Sequence, residues 1–420
     1  MLALDALPLS RKQLRSVAQA RARINLWHGA VRSGKTIASL LAWLLAIAEA
    51  PSSGLIVVVG RSLQTIERNV FEPLTDPALF GPVAAQVRHT RGATVATVLG
   101  RTVHLIGAAD ARAEGRLRGM TASLAYVDEA TLLPEAFWTQ LLARLSVPGA
   151  RLLATTNPDS PRHWLKQGYL DREAELDLVS WHFKLDDNPS LPPAYVAALA
   201  AEYVGLWRRR MIDGAWVVAE GAVYDMFDEQ RHVVDSLPAM RRHWLGVDYG
   251  TTNPFAAVLL GLGTDDRLYV VDEWRHDSRR AHRQMTDAQY SAAVRRWLDE
   301  RNVVPEWTFV DPSAASFLNQ LWSDGHPNIA RARNDVLDGI RTTSTALDSG
   351  LLRIHSLCTG LLDELPAYAW SSEASERGED KPLKRDDHSL DALRYVLQST
   401  AQEWRQLLAA SFAYLSSPTS

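Results

Sequence analysis

Residues 29–36 read Gly-Ala-Val-Arg-Ser-Gly-Lys-Thr and fit the pattern G-x-x-x-x-G-K-[ST]. An apolar run, Ile24–Trp27, precedes them, and a helical pattern, Lys35–Ala50, follows. This order demands a strand, a tight turn and a helix, because the glycines let successive backbone N–H groups turn inward around phosphates at a helix N-terminus. In such a turn Gly29, Ser33 and Gly34 cradle the phosphates of ATP. Lys35 neutralises the β and γ oxygens and the Thr36 hydroxyl ligates Mg²⁺.

The same alternation continues to Asn157, with strand-like runs at Leu55–Val59, Leu124–Val127 and Leu152–Thr155 and helical runs at Leu63–Phe71 and Pro134–Leu145. Strands alternating with helices predict a parallel, helix-covered sheet. Thr94–Leu99 and Thr102–Ile106, separated by Gly100-Arg101, add a hairpin at one edge. The apolar strand at Leu124 ends in Asp128-Glu129, where Asp128 would hold Mg²⁺ and Glu129 would orient the attacking water. Thr155-Thr156-Asn157-Pro158 closes the next strand and resembles a motif that reports the γ-phosphate state in helicase-like motors.

A chain of 420 residues exceeds the roughly 250–300 at which one core stops growing, so two domains are expected. With 45 Lys and Arg against 49 Asp and Glu, the net charge of -4 confines any nucleic-acid contact to a local patch. One cysteine, Cys358, excludes an intrachain disulfide and a thiolate zinc cluster. The longest apolar run, Ile37 to Ala50, is too short for the roughly 20 residues of a membrane span, so no membrane partner is expected. The N-terminus shows no secretory pattern, and a reducing compartment follows.

From Asp186 the pattern changes to turn chemistry at Asp186-Asp187-Asn188-Pro189 and a helical run Ala194–Ile212. Three strands then follow in succession, His243–Tyr249, Phe255–Leu262 and Leu268–Trp274, and after them a helix Asp287–Asn302 and a strand Trp307–Val310. Further on come a helix near Phe317–Trp322, a strand Asn328–Ala332 and helices Val336–Leu347 and Leu390–Glu403. That βββαβαβ order is the ribonuclease H-like one, in which the fourth strand returns beside the first. Asp248 and Asp311 then end neighbouring strands and face one pocket, joined by an acid from Asp386-Asp387-His388-Ser389-Leu390-Asp391. Three such carboxylates suit two Mg²⁺ or Mn²⁺ ions roughly 3.5–4 Å apart, the arrangement that hydrolyses phosphodiesters. His388 and Asp391 share a helix face, which favours Asp391 as third ligand with His388 beside it; Asp387 is the competitor.

With the phosphate loop, Val127-Asp128-Glu129-Ala130, Thr155-Thr156-Asn157-Pro158, Asp187-Asn188-Pro189, Gly246-Val247-Asp248-Tyr249-Gly250, Val310-Asp311-Pro312 and Asp387-His388-Ser389-Leu390-Asp391-Ala392-Leu393-Arg394-Tyr395, residues 10–400 resemble the terminase large subunit of tailed bacteriophages. The resemblance implies an α/β chain: a P-loop NTPase (ASCE/RecA-like) motor domain at 1–185, a connecting subdomain at 186–232, a ribonuclease H-like nuclease at 233–405 and a tail at 406–420. It implies ATP-driven translocation of double-stranded DNA into a procapsid and metal-dependent cutting of concatemeric DNA in the host cytoplasm. Its expected partners are DNA, the small terminase subunit and the portal, with a monomer in solution and a ring, commonly a pentamer, on the portal. Arg32 matches an arginine that approaches the phosphates, and Arg118, in Arg116-Leu117-Arg118-Gly119, matches a proposed finger. Such a finger contributes ~10³–10⁵ in rate.

Two basic clusters, Trp207–Arg210 and Arg275–Arg283, are candidates for DNA phosphate contacts, and Gln13 is a guess for the adenine. One rival reading is a helicase or repair translocase carrying a nuclease, which needs further helicase motifs after Asn157. The other is a nucleotide-regulated DNA-binding protein with an inactive ribonuclease H-like domain, which would bind DNA without cutting it.

Overall fold

The computed structural model describes residues 9–109, 111–250, 254–278 and 281–407. Two compact units divide them. The first holds the chain up to Ala200 with Leu206–Val218 and Glu376–Glu379, and the second holds Ala201–Gly205, Ala219–Ser375 and the chain from Asp380. The 186–232 stretch, expected as a connecting subdomain, is therefore shared between the units. Its expected single helix is two, Pro193–Glu202 and Gly205–Met211, because Gly205 takes a φ of 51° that a continuing helix cannot use. The tail expected from 406 lies almost wholly outside the described residues.

The first unit is built on eight strands: β1 (Ile24–Gly29), β2 (Leu55–Gly60), β3 (Val87–His89), β4 (Val95–Val98), β5 (Arg101–Gly107), β6 (Ala122–Val127), β7 (Arg151–Thr156) and β8 (Leu178–Phe183). Their order across the sheet is β3-β4-β5-β2-β6-β7-β1-β8. From β5 to β8 every pairing is parallel, and β3 and β4 add the antiparallel edge that the Gly100 hairpin predicts. Alternate residues of the strands serve opposite cores, as a period of two requires. Trp27, Val58, Tyr126 and Leu153 pack with the helix Lys35–Glu49. Leu26, Val57, Val59, Ala125, Val127 and Leu152 pack with Phe137, Trp138 and Leu141 of the helix Glu135–Arg144. β6 is buried at all six positions, so the acids at its exit are held by a rigid central strand.

The second unit adds β9 (Val233–Val234), β10 (Met240–Asp248), β11 (Phe255–Gly263), β12 (Leu268–His276), β13 (Trp307–Val310), β14 (Ile329–Arg331) and β15 (Leu352–His355). Their order is β14-β13-β10-β11-β12-β15-β9, and β13 runs parallel beside β10, as the sequence order requires. The helix His388–Ser399 packs on β10 and β11. Gly246 makes that approach possible, since a Cβ there would lie 2.1 Å from the carbonyl oxygen of Ala392. The exits of β10 and β13 and the first turn of this helix meet as a result.

Candidate functional site

In the first unit the phosphate loop leaves β1 and enters the helix Lys35–Glu49. Gly29 has a φ of 132°, and a Cβ on it would lie 1.9 Å from the Phe183 carbonyl, so only glycine fits. Gly34 is left-handed at φ 78° and forms the N-cap. Ser33 is buried and its hydroxyl donates to the Ala30 carbonyl at 2.8 Å. Arg32 is exposed at φ 55°, and its carbonyl accepts from Asn188 Nδ2 at 2.7 Å. Thr36, in the first helical turn, is half-buried.

Gln13 is 1% exposed, and its Nε2 donates to the Ser33 carbonyl at 3.0 Å while its Oε1 accepts from the Ser10 N–H at 2.7 Å. Its amide thus braces the loop, with one bond at each end.

Lys35, buried, donates from Nζ to the Ala30 carbonyl at 3.0 Å and to Asn157 Oδ1 at 2.7 Å. The Asn157 amide nitrogen in turn lies 3.2 and 3.1 Å from the two carboxylate oxygens of Glu129. One side chain therefore links the loop lysine to Glu129, the acid that the sequence reading assigns to water activation. Glu129 has a left-handed backbone, φ 54°, a conformation that costs a non-glycine residue on the order of 1 kcal/mol. Burial raises its pKa, opposed by the nearby Lys35 charge, and burial lowers that of Lys35.

Asp128 is 3% exposed, and each of its oxygens is bound: Oδ2 by Asn69 Nδ2 at 2.7 Å and Oδ1 by Thr155 Oγ1 at 3.2 Å. Burial raises its pKa, and the bonds from Asn69 and Thr155 pull it back. Asn69 is a residue that sequence reasoning missed. It lies in a π-helical turn, Glu67–Phe71, within the expected Leu63–Phe71 helix, and such turns commonly mark functional positions. Arg118 is exposed on the turn before β6, and no hydrogen bond or ion pair joins it to the loop among the described residues. Arg210 of the first basic cluster is buried and pairs with Asp159 at 3.1 Å, so it is a structural residue.

In the second unit Asp248, Asp311, Asp387, His388 and Asp391 line one cavity of about 450 Å³. Asp248 ends β10, and its Oδ2 lies 2.9 Å from His388 Nδ1. Asp311 follows β13; its Oδ1 accepts from the Ser313 N–H at 2.8 Å and its Oδ2 from the Tyr395 hydroxyl at 3.4 Å. Asp391 is paired with Arg394, and Lys384 Nζ lies 3.3 Å from its Oδ2. Asp387 is 5% exposed, and its Oδ2 accepts no hydrogen bond, with Lys384 Nζ standing off at 3.7 Å. Burial, then the Asp391 charge, raises the Asp387 pKa. Burial also raises that of Asp248, with the Asp391 and Asp311 charges adding to it and His388 opposing. Burial pulls His388 down, but the bond to Asp248 and the surrounding carboxylates outweigh it, and the net shift is upward.

Acids that raise one another's pKa, one with a buried oxygen that accepts no hydrogen bond, are a donor set that a divalent cation would relieve. Among the described residues no three His, Cys, Asp or Glu side chains already surround one point. His388, Arg394 and Lys384 are instead the partners of the carboxylates here. In the second basic cluster Arg279 and Arg280 lie outside the described residues, and Arg275 turns inward to Glu364, Nη1 to Oε1 2.7 Å.

A parallel sheet with a phosphate loop, followed by a mixed sheet with clustered acids, defines a class that known proteins share. The family model for the terminase large subunit, T4likevirus-type, N-terminal, matches residues 27–231. The large terminase of a thermophilic bacteriophage is similar in structure, with a TM-score of 0.82 and 33% identity over 94% of this chain and 99% of that one. The same protein in complex with ADP matches with a TM-score of 0.82 and in complex with ATP-γ-S with 0.80. The large terminase subunit of Escherichia phage T5 is 26% identical over 283 residues, 64% of this chain, and the match spans 62% of the T5 protein. The chain belongs to the phage terminase large subunit family.

Proposed function

We propose that this chain is an ATP-driven motor that moves double-stranded DNA into a procapsid and cuts concatemeric DNA with a metal-dependent nuclease. In this reading the first unit is a P-loop NTPase of the ASCE/RecA-like class and the second a ribonuclease H-like nuclease. The observation that carries it is the gathering of Asp248, Asp311, Asp387 and Asp391 around one cavity in a chain that also carries the braced phosphate loop. The kinship with a terminase solved with ADP and ATP-γ-S supports the nucleotide assignment.

In the motor site Gly29, Ser33, Gly34 and Lys35 would bind the phosphates of ATP, with Thr36 and Asp128 toward Mg²⁺. Lys35 exchanges its bond with Asn157 for phosphate oxygens, which frees Asn157 and alters the hold on Glu129, the residue proposed to orient water. Arg32 and Arg118 are proposed as positive groups for the transferring phosphate, Arg118 from a neighbouring subunit, which fits its exposure. In the nuclease site Asp248, Asp311 and Asp391, with Asp387 and His388 adjacent, would hold two Mg²⁺ or Mn²⁺ ions; bound there, the ions supply an activated water and stabilise the leaving oxygen. The Tyr395 hydroxyl and the Ser313 N–H orient Asp311, and His388 orients Asp248. The partners proposed are the small terminase subunit, the portal and DNA, with a pentameric ring on the portal and the host cytoplasm as the setting. No helix of the described residues is long and apolar enough to cross a membrane.

The test is digestion of supercoiled plasmid with Mg²⁺, Mn²⁺ or EDTA, beside Asp248→Asn. Cutting that needs metal and disappears in the variant is expected. Folded protein that hydrolyses ATP yet cuts under no metal would instead favour a motor with a silent or partner-gated second domain.

A further inference from the structure

The helix His388–Ser399 begins without a cap of its own. Asp387 stands at the N-cap, a position where aspartate ordinarily accepts a backbone N–H, yet its side chain makes no capping bond. The N–H of Leu390, one of the first-turn donors that lack an intrahelical partner, is accepted instead by Glu364 Oε2 at 2.9 Å. Glu364 comes from a different helix, Thr359–Ala367, and is 4% exposed.

This carboxylate is one member of a closed polar ring. Its Oε1 accepts no aligned hydrogen bond but lies 2.7 Å from Arg275 Nη1 as an ion pair, and the same nitrogen donates to Ser389 Oγ at 3.1 Å. Ser389 donates to Glu273 Oε2 at 3.0 Å, and Glu273 accepts from the N–H groups of Gly360 and Leu361 at the start of the Glu364 helix. Each acid therefore satisfies the N-terminus of one helix, and Arg275 balances their charge. Burying the Glu364 carboxylate, with Glu273 and Arg275 half-buried around it, carries a desolvation cost, which a local cap by Asp387 would have avoided. What the ring secures is visible in the cavity: Asp387 Oδ2, not engaged as a cap, is buried beside Asp391 and accepts no hydrogen bond.

We propose that Glu364 is a positioning residue of the nuclease site. By capping the last helix from outside, it leaves the Asp387 carboxylate available to a divalent cation and fixes the first turn that presents His388 and Asp391 to Asp248. The inference rests on the metal-nuclease reading above and extends it to a residue outside the cavity.

The experiment uses the full chain and Mn²⁺ as probe, measured three ways: Mn²⁺ binding without DNA, plasmid cutting against Mn²⁺ concentration, and amide exchange of Ser389–Asp391. Glu364→Ala is expected to weaken Mn²⁺ binding and raise the half-saturating concentration for cutting by about tenfold or more, the usual effect of losing a residue that orients a ligand. Exchange of the Leu390 amide should quicken, with ATP turnover unchanged. Glu364→Gln, which keeps an acceptor for Leu390, should recover most of the Mn²⁺ affinity.

Asp387→Ala, which removes the carboxylate and any capping acceptor together, decides the matter even if Glu364→Ala fails to fold. It should weaken Mn²⁺ binding to a similar degree and leave the melting temperature unchanged. A variant that instead melts early and binds Mn²⁺ normally would show that Asp387 is a cap after all, and would overturn the proposal. Wild-type Mn²⁺ affinity in a folded Glu364→Ala would overturn it too. If Asp248→Asn alters neither Mn²⁺ binding nor cutting, the underlying metal reading falls, an outcome distinct from indifference to Glu364 alone.

Discussion

The two oxygens of Asp128 are bound from two different elements, Asn69 in the π-helical turn and Thr155 on β7, so its orientation does not depend on the β6 exit alone. Asn69→Ala leaves one oxygen of a buried acid unpaired, at about 1–3 kcal/mol. If most of that loss falls on orientation in the reacting complex, ATP turnover should drop roughly tenfold to hundredfold. The Mg²⁺ requirement should rise with it, and plasmid cutting should be unaffected. Unchanged turnover and Mg²⁺ dependence would remove Asn69 from the site. The loop and the acids at strand exits are legible in the sequence because phosphate binding demands fixed residue types at fixed spacing. Asn69 is not: its position is defined by an extra residue in a helical turn and by a partner 59 positions away. Gln13 has a second part that the sequence does not show: its amide braces the loop through the Ser33 carbonyl and the Ser10 N–H.

Among the elements, the long apolar strands and helices declare themselves by period, and the short or edge strands do not. β8 reads Leu-Val-Ser-Trp-His-Phe, in which Ser180 and His182 alternate with apolar residues over too few positions to stand out, and β15 has only four residues. Neither is apparent from the sequence, and yet β8 supplies the Phe183 carbonyl that accepts the Ala30 N–H and makes glycine necessary at position 29. Gly246 has the same meaning in the second unit: it is the point at which β10 admits the last helix. Gly246→Ala places a methyl against a backbone carbonyl, which cannot swing aside as a side chain could, and overpacking of this kind costs about 3 kcal/mol. The expected result is a lower melting temperature for the second unit and lost or much weakened cutting, because Asp248 and Asp391 are carried on the two elements pushed apart. ATP turnover should persist. A Gly246→Ala protein with normal cutting would mean that the contact between strand and helix does not set the site.

At the scale of the whole molecule, two sites on two units give each ligand its own thermodynamic signature. A ligand that binds only the folded state stabilises it by RT ln(1 + [L]/Kd), about 2.7 kcal/mol at a hundredfold excess over Kd. Calorimetric unfolding with ATP-γ-S and Mg²⁺ should therefore raise the transition of the first unit, and Lys35→Ala should abolish that rise. Mn²⁺ without nucleotide should raise the transition of the second unit, and Asp248→Asn should abolish that one. Each substitution should leave the other ligand's effect in place, because Lys35 and Asp248 belong to separate units built on separate sheets. Burial strengthens the expectation for Lys35: its ammonium is held in a site that lowers its pKa, and an anionic phosphate is the partner that reverses this. If Lys35→Ala also erased the Mn²⁺ effect, the two chemistries would share one folding unit, and the division of labour proposed for the motor and the nuclease would have to be abandoned.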